Sequence, residues 1–300
     1  MEIFYTSKQL GEKTVVALGF FDGVHIAHRS LIEKAVSVSK EKGCKSVVYT
    51  FDKSIKNNKL ITDNETKKEQ IENLGVDLLV FENINEDFLK MSPESFVKDI
   101  IKDKLDACCV VIGKHYTFGC GGASDSSVMV NLCHSYGIEV VVMPLMELDD
   151  FLVSSTHIRF FIESGEIEKA NKFLGRNFSV SGVVEHGNHI GRTIGFPTVN
   201  IYPEENLVMP RFGVYCVYVY IKGRRYYSIA NVGIKPTVGS EKPLVEAHIF
   251  DIEDTDLYSE FVKIEFLTFI RQEREFENLE ILKEQIYDDK ERAKNFFKMN

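Results

Sequence analysis

Five short apolar runs punctuate the first half of the chain: TVVALGF (14–20), SVVYTF (46–51), DLLVF (77–81), ACCVVIG (107–113) and IEVVVMP (138–144). None alternates with polar residues, so each reads as a strand buried on both faces, the hallmark of a parallel sheet. Parallel neighbours need a crossover connection, usually a helix. The segments between the runs supply it. Residues 29–42 carry a helical pattern ending at Gly43, 65–74 another ending at Gly75, Pro93 opens a third behind a Ser92 N-cap, and 125–136 forms a fourth ending at Gly137. The pattern predicts an α/β, doubly wound parallel sheet with ligands gathered at the C-terminal ends of its strands. The stretches Gly19–His28 and Gly113–Asp125 both follow such ends.

A helix starts at Ser154-Ser155-Thr156 and stops near Gly165, and a second, 166–174, ends at Gly175. After Asn177 the texture changes to short segments rich in Val, Ile, Tyr and Phe, with Lys222-Gly223 as a hairpin turn between two long strands. These predict a small antiparallel β-barrel, closed by an amphipathic helix over 277–297. Two domains are expected, 1–176 and 177–300.

No apolar run approaches the ~18 residues of a membrane helix, and the first residues show no signal-peptide pattern. A cytoplasmic protein is expected, a monomer or weak homo-oligomer that binds neither membrane nor nucleic acid. The net charge of −9 argues against broad phosphate-backbone binding. The six cysteines include no C-x-x-C pair and read as free thiols.

Two constellations carry chemistry. In Leu18-Gly19-Phe20-Phe21-Asp22-Gly23-Val24-His25-Ile26-Ala27-His28, a glycine turn leads from a strand into two histidines near a helix start. Such a pair can hydrogen-bond phosphate oxygens as charge develops at phosphorus, helped by the helix N-terminus, and Gly23 permits close backbone approach. A metal cluster of Asp22, His25 and His28, or ordinary capping histidines, are the competing readings. Ser154-Ser155-Thr156-His157-Ile158-Arg159 places hydroxyls at a helix start and a guanidinium one turn in, which suits phosphate but also reads as a plain Ser cap.

The second constellation is EHGNHIGRTIGFPTVNIY (185–202). Gly187, Gly191, Gly195 and Pro197 shape a loop that could form an anion nest. Thr198 and Asn200 share a strand face and offer hard oxygens suited to Mg²⁺ beside phosphates. Downstream, Glu246 and His248 share a face, and a carboxylate there could act as general base. A Gly/Pro-rich hairpin and a solvent-facing glutamate are the plain alternatives.

The first set, Gly19 to His28 with the late Ser-Ser-Thr-x-Ile-Arg, resembles the H-x-G-H nucleotidylyltransferases, and more closely the N-terminal module of bacterial bifunctional riboflavin kinase/FAD synthetases. Gly191-Arg192-Thr193-Ile194-Gly195-Phe196-Pro197-Thr198-x-Asn200 resembles the riboflavin kinase signature. Asn231-Val232-Gly233-x-x-Pro236-Thr237, Glu246-x-His248, Asp256-Leu257-Tyr258 and Phe269-Ile270-Arg271-x-Glu273-x-x-Phe276 follow in that family's order.

The resemblance implies phosphorylation of riboflavin to FMN and adenylylation of FMN to FAD, with ATP as co-substrate and Mg²⁺ as cofactor. It implies ATP and phosphate contacts at Gly19, Phe21, Gly23, His25, His28, Ser154, Ser155, Thr156 and Arg159 in the first module. In the second it implies them at Gly187, Gly191, Arg192, Gly195 and Pro197, with metal at Thr198 and Asn200 and base catalysis at Glu246. Flavin contacts are implied at Phe118, Asp125, Arg271 and Glu273. Three departures stand out: Ala27 replaces the glycine between the histidines, the loop after the fourth run reads Lys114-His115-Tyr116-Thr117-Phe118, and Thr50–Ile55 lacks a Pro-x-Pro. They leave a second reading, a riboflavin kinase whose first module adenylylates weakly or not at all.

Overall fold

The computed structural model describes residues 1–53, 59–185, 196–237, 240–250, 252 and 257–299. The chain divides into two compact units, Met1–Ser155 and Thr156–Asn300.

The first unit is built on β1 (Glu2–Phe4), β2 (Thr14–Leu18), β3 (Lys45–Phe51), β4 (Leu78–Glu82), β5 (Ala107–Gly113) and β6 (Glu139–Met143). Their order is β1-β4-β3-β2-β5-β6, and every pairing is parallel. The sequence pattern predicts five strands and the sheet has six. The additional β1 is three residues long and not fully buried, pairing Glu2 with Leu78 at the sheet edge, so it has no apolar run to betray it. Winding outward from β2 in both directions puts the topological switch between β2 and β5, where their C-terminal ends open a crevice.

Helix α1 (Ile26–Lys42) has His25 as N-cap and Gly43, at φ 63°, as C-cap. Its buried residues Leu31, Ile32, Ala35, Val36, Val38 and Ser39 recur at three- and four-residue spacing, one face of a helix. Val15 and Ala17 of β2 pack toward that face, whereas Val16 and Leu18 point to the other, against Val110, Ile112, Phe96 and Val97. The sheet is thus covered on both sides, as its unbroken apolar runs require. Helix α2 (Asn64–Glu72) follows β3 behind an Asp63 cap. After a short turn of helix, α3 (Glu86–Leu89), comes α4 (Pro93–Ser95), capped by Ser92 and continued by wider π-type turns over Phe96–Lys104. Helix α5 (Ser126–Ser135) precedes β6. A hairpin, β7 (Glu147–Leu148) and β8 (Phe151–Leu152), completes the unit.

Helices α6 (Ser155–Ser164) and α7 (Ile167–Leu174) lead into the second unit. By residue texture the change falls after Asn177, yet α7 packs with the strands that follow it: Asn171 Nδ2 donates to Phe266 O at 2.8 Å, and its Oδ1 accepts from Phe178 N at 2.7 Å. The strands are β9 (Phe178–Val183), β10 (Thr198–Ile201), β11 (Gly213–Ile221), β12 (Arg224–Thr237), β13 (Ser240–Ile249) and β14 (Phe261–Gln272), in the order β10-β13-β12-β11-β14-β9, all antiparallel. The sheet curls until its two edges meet, Glu185 N donating to Asn200 O at 2.9 Å. Inside the curl lie Val199, Ile201, Tyr215, Val217, Val245, Ile264 and Phe266, all buried. Lys222-Gly223, both at positive φ (49° and 75°), makes the two-residue turn between β11 and β12. Helix α8 (Leu279–Phe297) starts at an Asn278 cap and covers the outer face through Ala293, Ile286 and Phe297, against Val214, Cys216 and Ile229. The curled antiparallel sheet with its closing helix matches the architecture expected from sequence. All six cysteines are free, and no described helix is long and apolar enough to cross a membrane.

Gly213 is where β11 starts against β14. It sits at φ 149°, and a Cβ there would lie 2.3 Å from Arg271 O and 2.7 Å from the Phe269 ring. Gly213→Ala is expected to destabilise the second unit by about 2 kcal/mol or more, read as a lower urea midpoint for its unfolding.

Candidate functional site

The chain leaves β2 through a strained turn. Phe21 (φ 50°), Gly23 (φ 79°) and Val24 (φ 38°) all adopt positive φ, which for a β-branched valine is a true outlier. Gly19 makes room for the turn, since a Cβ there would lie 2.8 Å from the Phe21 ring. Four hydrogen bonds tie the turn down. Thr50 Oγ1 donates to Phe20 O at 2.9 Å, Asp22 Oδ1 accepts from Ile61 N at 2.8 Å, Gly23 N donates to Thr62 Oγ1 at 3.3 Å, and Ser155 Oγ donates to Asp22 O at 2.9 Å. Strain persists only where neighbours over-determine the conformation.

The turn delivers His25 and His28 together, their rings stacked with centroids 3.5 Å apart, and Phe21 meets His28 edge-on at 5.2 Å. His25 Nδ1 accepts the His28 backbone N–H at 3.3 Å. His25 therefore carries its ring proton on Nε2 when neutral, ready to donate. His28 Nδ1 is buried with no hydrogen-bond partner among the described residues. Burial, reinforced by repulsion from His25 and Lys67, holds the His28 imidazole well below the ordinary histidine range. Ala27 sits in the first turn of α1 between the two histidines and leaves the stack intact.

The metal reading of Asp22, His25 and His28 finds no support, because Asp22 is committed to Ile61 N and no group of three or more metal-ligating side chains forms among the described residues. Phe21 is buried in the core, so its backbone is what a ligand could meet. Ser154 and Ser155 stand at the start of α6, with Thr156 and Arg159 in its first turns.

Beside β2, the loop after β5 brings Phe118 to the same end of the sheet. Phe118 is buried against Phe96 and Tyr116, at centroid distances of 5.8 and 5.9 Å. Asp125 caps α5, its Oδ1 accepting from Ser127 Oγ, Ser127 N and Val128 N. These bonds, led by the Ser127 hydroxyl, hold its carboxyl below the usual range.

In the second unit, strand register assembles a polar row. Asn200 of β10 lies opposite Glu246 of β13, Glu246 opposite Asn231 of β12, Asn231 opposite Val214 of β11, and Val214 opposite Arg271 of β14. Residues in direct register share a face, and Val214 places this row on the α8 side. Thr198 faces His248 one step along. His248 Nδ1 donates to Pro197 O at 2.9 Å, with Phe196 packed on its ring and on Tyr287 of α8. Asn200 is buried, and its Oδ1 has no hydrogen-bond partner among the described residues. A buried acceptor without a donor calls for an outside partner. A hard oxygen beside the Thr198 hydroxyl fits Mg²⁺.

Arg271 reaches α8. Its Nε donates to both Asp289 oxygens at 3.0 Å and its Nη2 to Oδ2 at 2.8 Å, with Asp289 buried and also bonded by Gln285. Glu273 accepts from Asn231 Nδ2 at 3.2 Å, and lies against Gly233, where a Cβ would come within 2.7 Å of its Oε1. Gly187, Gly191, Arg192, Gly195 and Asp256 lie outside the described residues. Reasoning from sequence missed Asn231, Asp289 and Lys67. Asn231 could have been found as part of the Asn231-Val232-Gly233 stretch, whereas the other two sit in helices whose charges look like surface.

The low His28 titration carries a pH dependence. The unfolded chain takes up the proton near pH 6.5 and the folded chain only at lower pH. Stability contributed here is whole above about pH 6.5 and declines as pH falls below it. His28→Gln, which cannot ionise, is expected to flatten that part of the profile, read from denaturant midpoints at pH 5 and pH 7.

A family model described as FAD synthetase matches residues 7–157, and one described as riboflavin kinase matches residues 174–297. The bifunctional riboflavin kinase/FMN adenylyltransferase of Bacillus subtilis is 36% identical over 97% of this chain and 94% of its own length. The proteins of that name from Listeria monocytogenes and Escherichia coli are 34% and 29% identical, covering 94% and 95% of this chain and 92% and 93% of theirs. A crystal structure from Streptococcus pneumoniae, titled a macrolide-efflux protein, superposes with a TM-score of 0.90 at 30% identity, over 98% of this chain and 99% of that one.

Proposed function

This chain belongs to the bifunctional riboflavin kinase/FMN adenylyltransferase family, and from that membership we propose how its residues divide two successive reactions, riboflavin to FMN and FMN to FAD, each with ATP as co-substrate. The modules are 1–176 for adenylylation and 177–300 for phosphorylation. The observation that carries the reading is the register of the second unit, which sets Glu246 directly across from Asn200, whose Oδ1 has no hydrogen-bond partner among the described residues.

In the kinase module Glu246 accepts the proton of the ribityl 5′-hydroxyl as that oxygen attacks the γ-phosphorus of ATP. Asn200 Oδ1 and Thr198 Oγ1 hold Mg²⁺, which supplies charge neutralisation on the phosphates. Gly187, Gly191, Arg192, Gly195 and Pro197 line the nucleotide. Glu273 and the Arg271 region border the flavin, Arg271 through its hold on α8.

In the adenylylation module a phosphate oxygen of FMN attacks the α-phosphorus of a second ATP and pyrophosphate leaves. His25 donates from Nε2, and His28 and the N–H groups at the start of α1 share the developing charge. Gly19, Phe21 and Gly23 supply backbone to the nucleotide, and Ser154, Ser155, Thr156 and Arg159 take the triphosphate. Phe118 and Asp125 stand on the flavin side. The match to the FAD synthetase model and the bifunctional relatives favour full over weak adenylylation. The protein works in the cytoplasm as a monomer or weak homo-oligomer, with no nucleic-acid or membrane partner.

Chromatography of products after incubation with ATP and Mg²⁺, started from riboflavin or from FMN, tests the pair of activities. FAD is expected from both, and no FAD from FMN would overturn the first module's assignment. Glu246→Gln is expected to lower FMN formation about 10²-fold or more while FMN-to-FAD conversion stays at its original rate. Equal loss of both would refute separate sites.

A further inference from the structure

Lys67 is the only lysine among the buried charged residues described, 1% exposed, on a largely polar helix that buries Thr66 and Ile71 beside it. Its Nζ donates to Phe20 O at 3.2 Å and to Phe51 O at 3.1 Å. These are the carbonyls where the chain leaves β2 and β3, and Phe20 O is the one that opens the strained turn at Phe21. The ammonium also lies 4.5 Å from the Phe20 ring centroid. Burying an ammonium is costly unless its donors are used, and here two of the three go to backbone at the edge of the site.

We propose that Lys67 is a positioning residue for adenylyl transfer, which clamps the C-terminal ends of β2 and β3 together and places a fixed positive charge behind the His25–His28 pair. The proposal rests on the reading of the first module as an adenylyltransferase. A helix on the sheet surface could be held by apolar packing alone, so a buried lysine with no carboxylate hydrogen bond asks for another reason. The clamp provides one. Phe20 O already accepts from Thr50 Oγ1, and the second donor makes that peptide unable to rotate, which keeps the backbone at Phe21 in its left-handed conformation and the histidine stack in register.

The charge acts in the same direction. Burial pushes the Lys67 pKa down to about 8, against the opposing charges of Asp22 and Asp52. At neutral pH Lys67 is therefore charged, and it disfavours a proton on His28. Asp52 Oδ1 and Asn64 Oδ1, at the same strand end, are buried acceptors without hydrogen-bond partners among the described residues; Asp52 and Asp22 act on Lys67 through their charge.

The test uses the full chain with Lys67→Met and Lys67→Arg. Lys67→Met is expected to lower kcat for FMN adenylylation on the order of tenfold to a hundredfold, with the KM for ATP changed about threefold or less. Lys67→Arg, which keeps the charge and two donors, restores most of the loss. Riboflavin phosphorylation by the same preparations is unchanged. In parallel, NMR titration of the His28 ring, assigned by its disappearance in His28→Gln, is expected to move to higher pH in Lys67→Met.

Should Lys67→Met fail to fold, Lys67→Gln carries the same expectations. An unchanged kcat, or an unchanged His28 titration, overturns the proposal. Wild-type protein that makes no FAD defeats the adenylyltransferase reading, and the His28 titration then decides the role of Lys67 by itself.

Discussion

The turn from Phe20 to Val24 is the constraint on which the first unit's site hangs. Phe21, Gly23 and Val24 there turn the chain from a buried strand into a helix within a few residues, at a cost of about 1–3 kcal/mol for each of the two non-glycine residues in a sparsely populated conformation. The cost is offset by four separate hydrogen bonds from β3, from the segment at Ile61-Thr62 and from Ser155, together with burial of the Phe21 and Val24 side chains. The result is a backbone with one conformation at the point where two imidazoles must share a face. Asp22, which in sequence reads as a candidate metal ligand, turns out to be an anchor for Ile61.

The second unit reaches the same end by other means. Its site is ordered by strand register, because a sheet in fixed register puts residues from five strands in one row. A slip of one residue would turn Asn200 and Glu246 to opposite faces. Closure of the sheet edges at Glu185 and Asn200, and the bidentate grip of Arg271 on Asp289, hold that register and the covering helix. A buried ion pair of this kind adds little net stability over an apolar pair but is severe to break, which suits a latch more than a source of stability.

Much of this was legible in one dimension. Apolar runs marked five of the six strands of the parallel sheet, glycines marked helix ends at Gly43, Gly165 and Gly175, and the Lys222-Gly223 turn fell where two long strands meet. The edge strand β1 escaped notice because an edge strand of three residues buries too little to need an apolar run. Lys67 and Lys68 illustrate a harder limit. They are adjacent lysines in one helix, yet Lys67 is buried with its Nζ on two strand ends, while Lys68 pairs with Glu65 at the surface. A helical turn of 100° separates them, and no property of residue type says which of the two faces the sheet. Arg271 is a similar case, since its partner Asp289 lies in a helix whose charges look uniform.

By itself the sequence determined the main elements other than the edge strand β1, their order and the chemistry that can be done with them. Local rules suffice for that: the period of apolar residues, the capping residues and the spacing of histidines, hydroxyls and carboxylates are short-range properties of the chain. Only the tertiary structure decided which groups meet. The Asn200–Glu246 pairing, the anchoring of Asp22, the neutral state of His28 and the burial of Lys67 all depend on residues tens of positions apart, brought together by packing and register. Whether a charge is a ligand, a latch or a solvated surface group is a matter of what dielectric and which donors surround it, and those are properties of the fold.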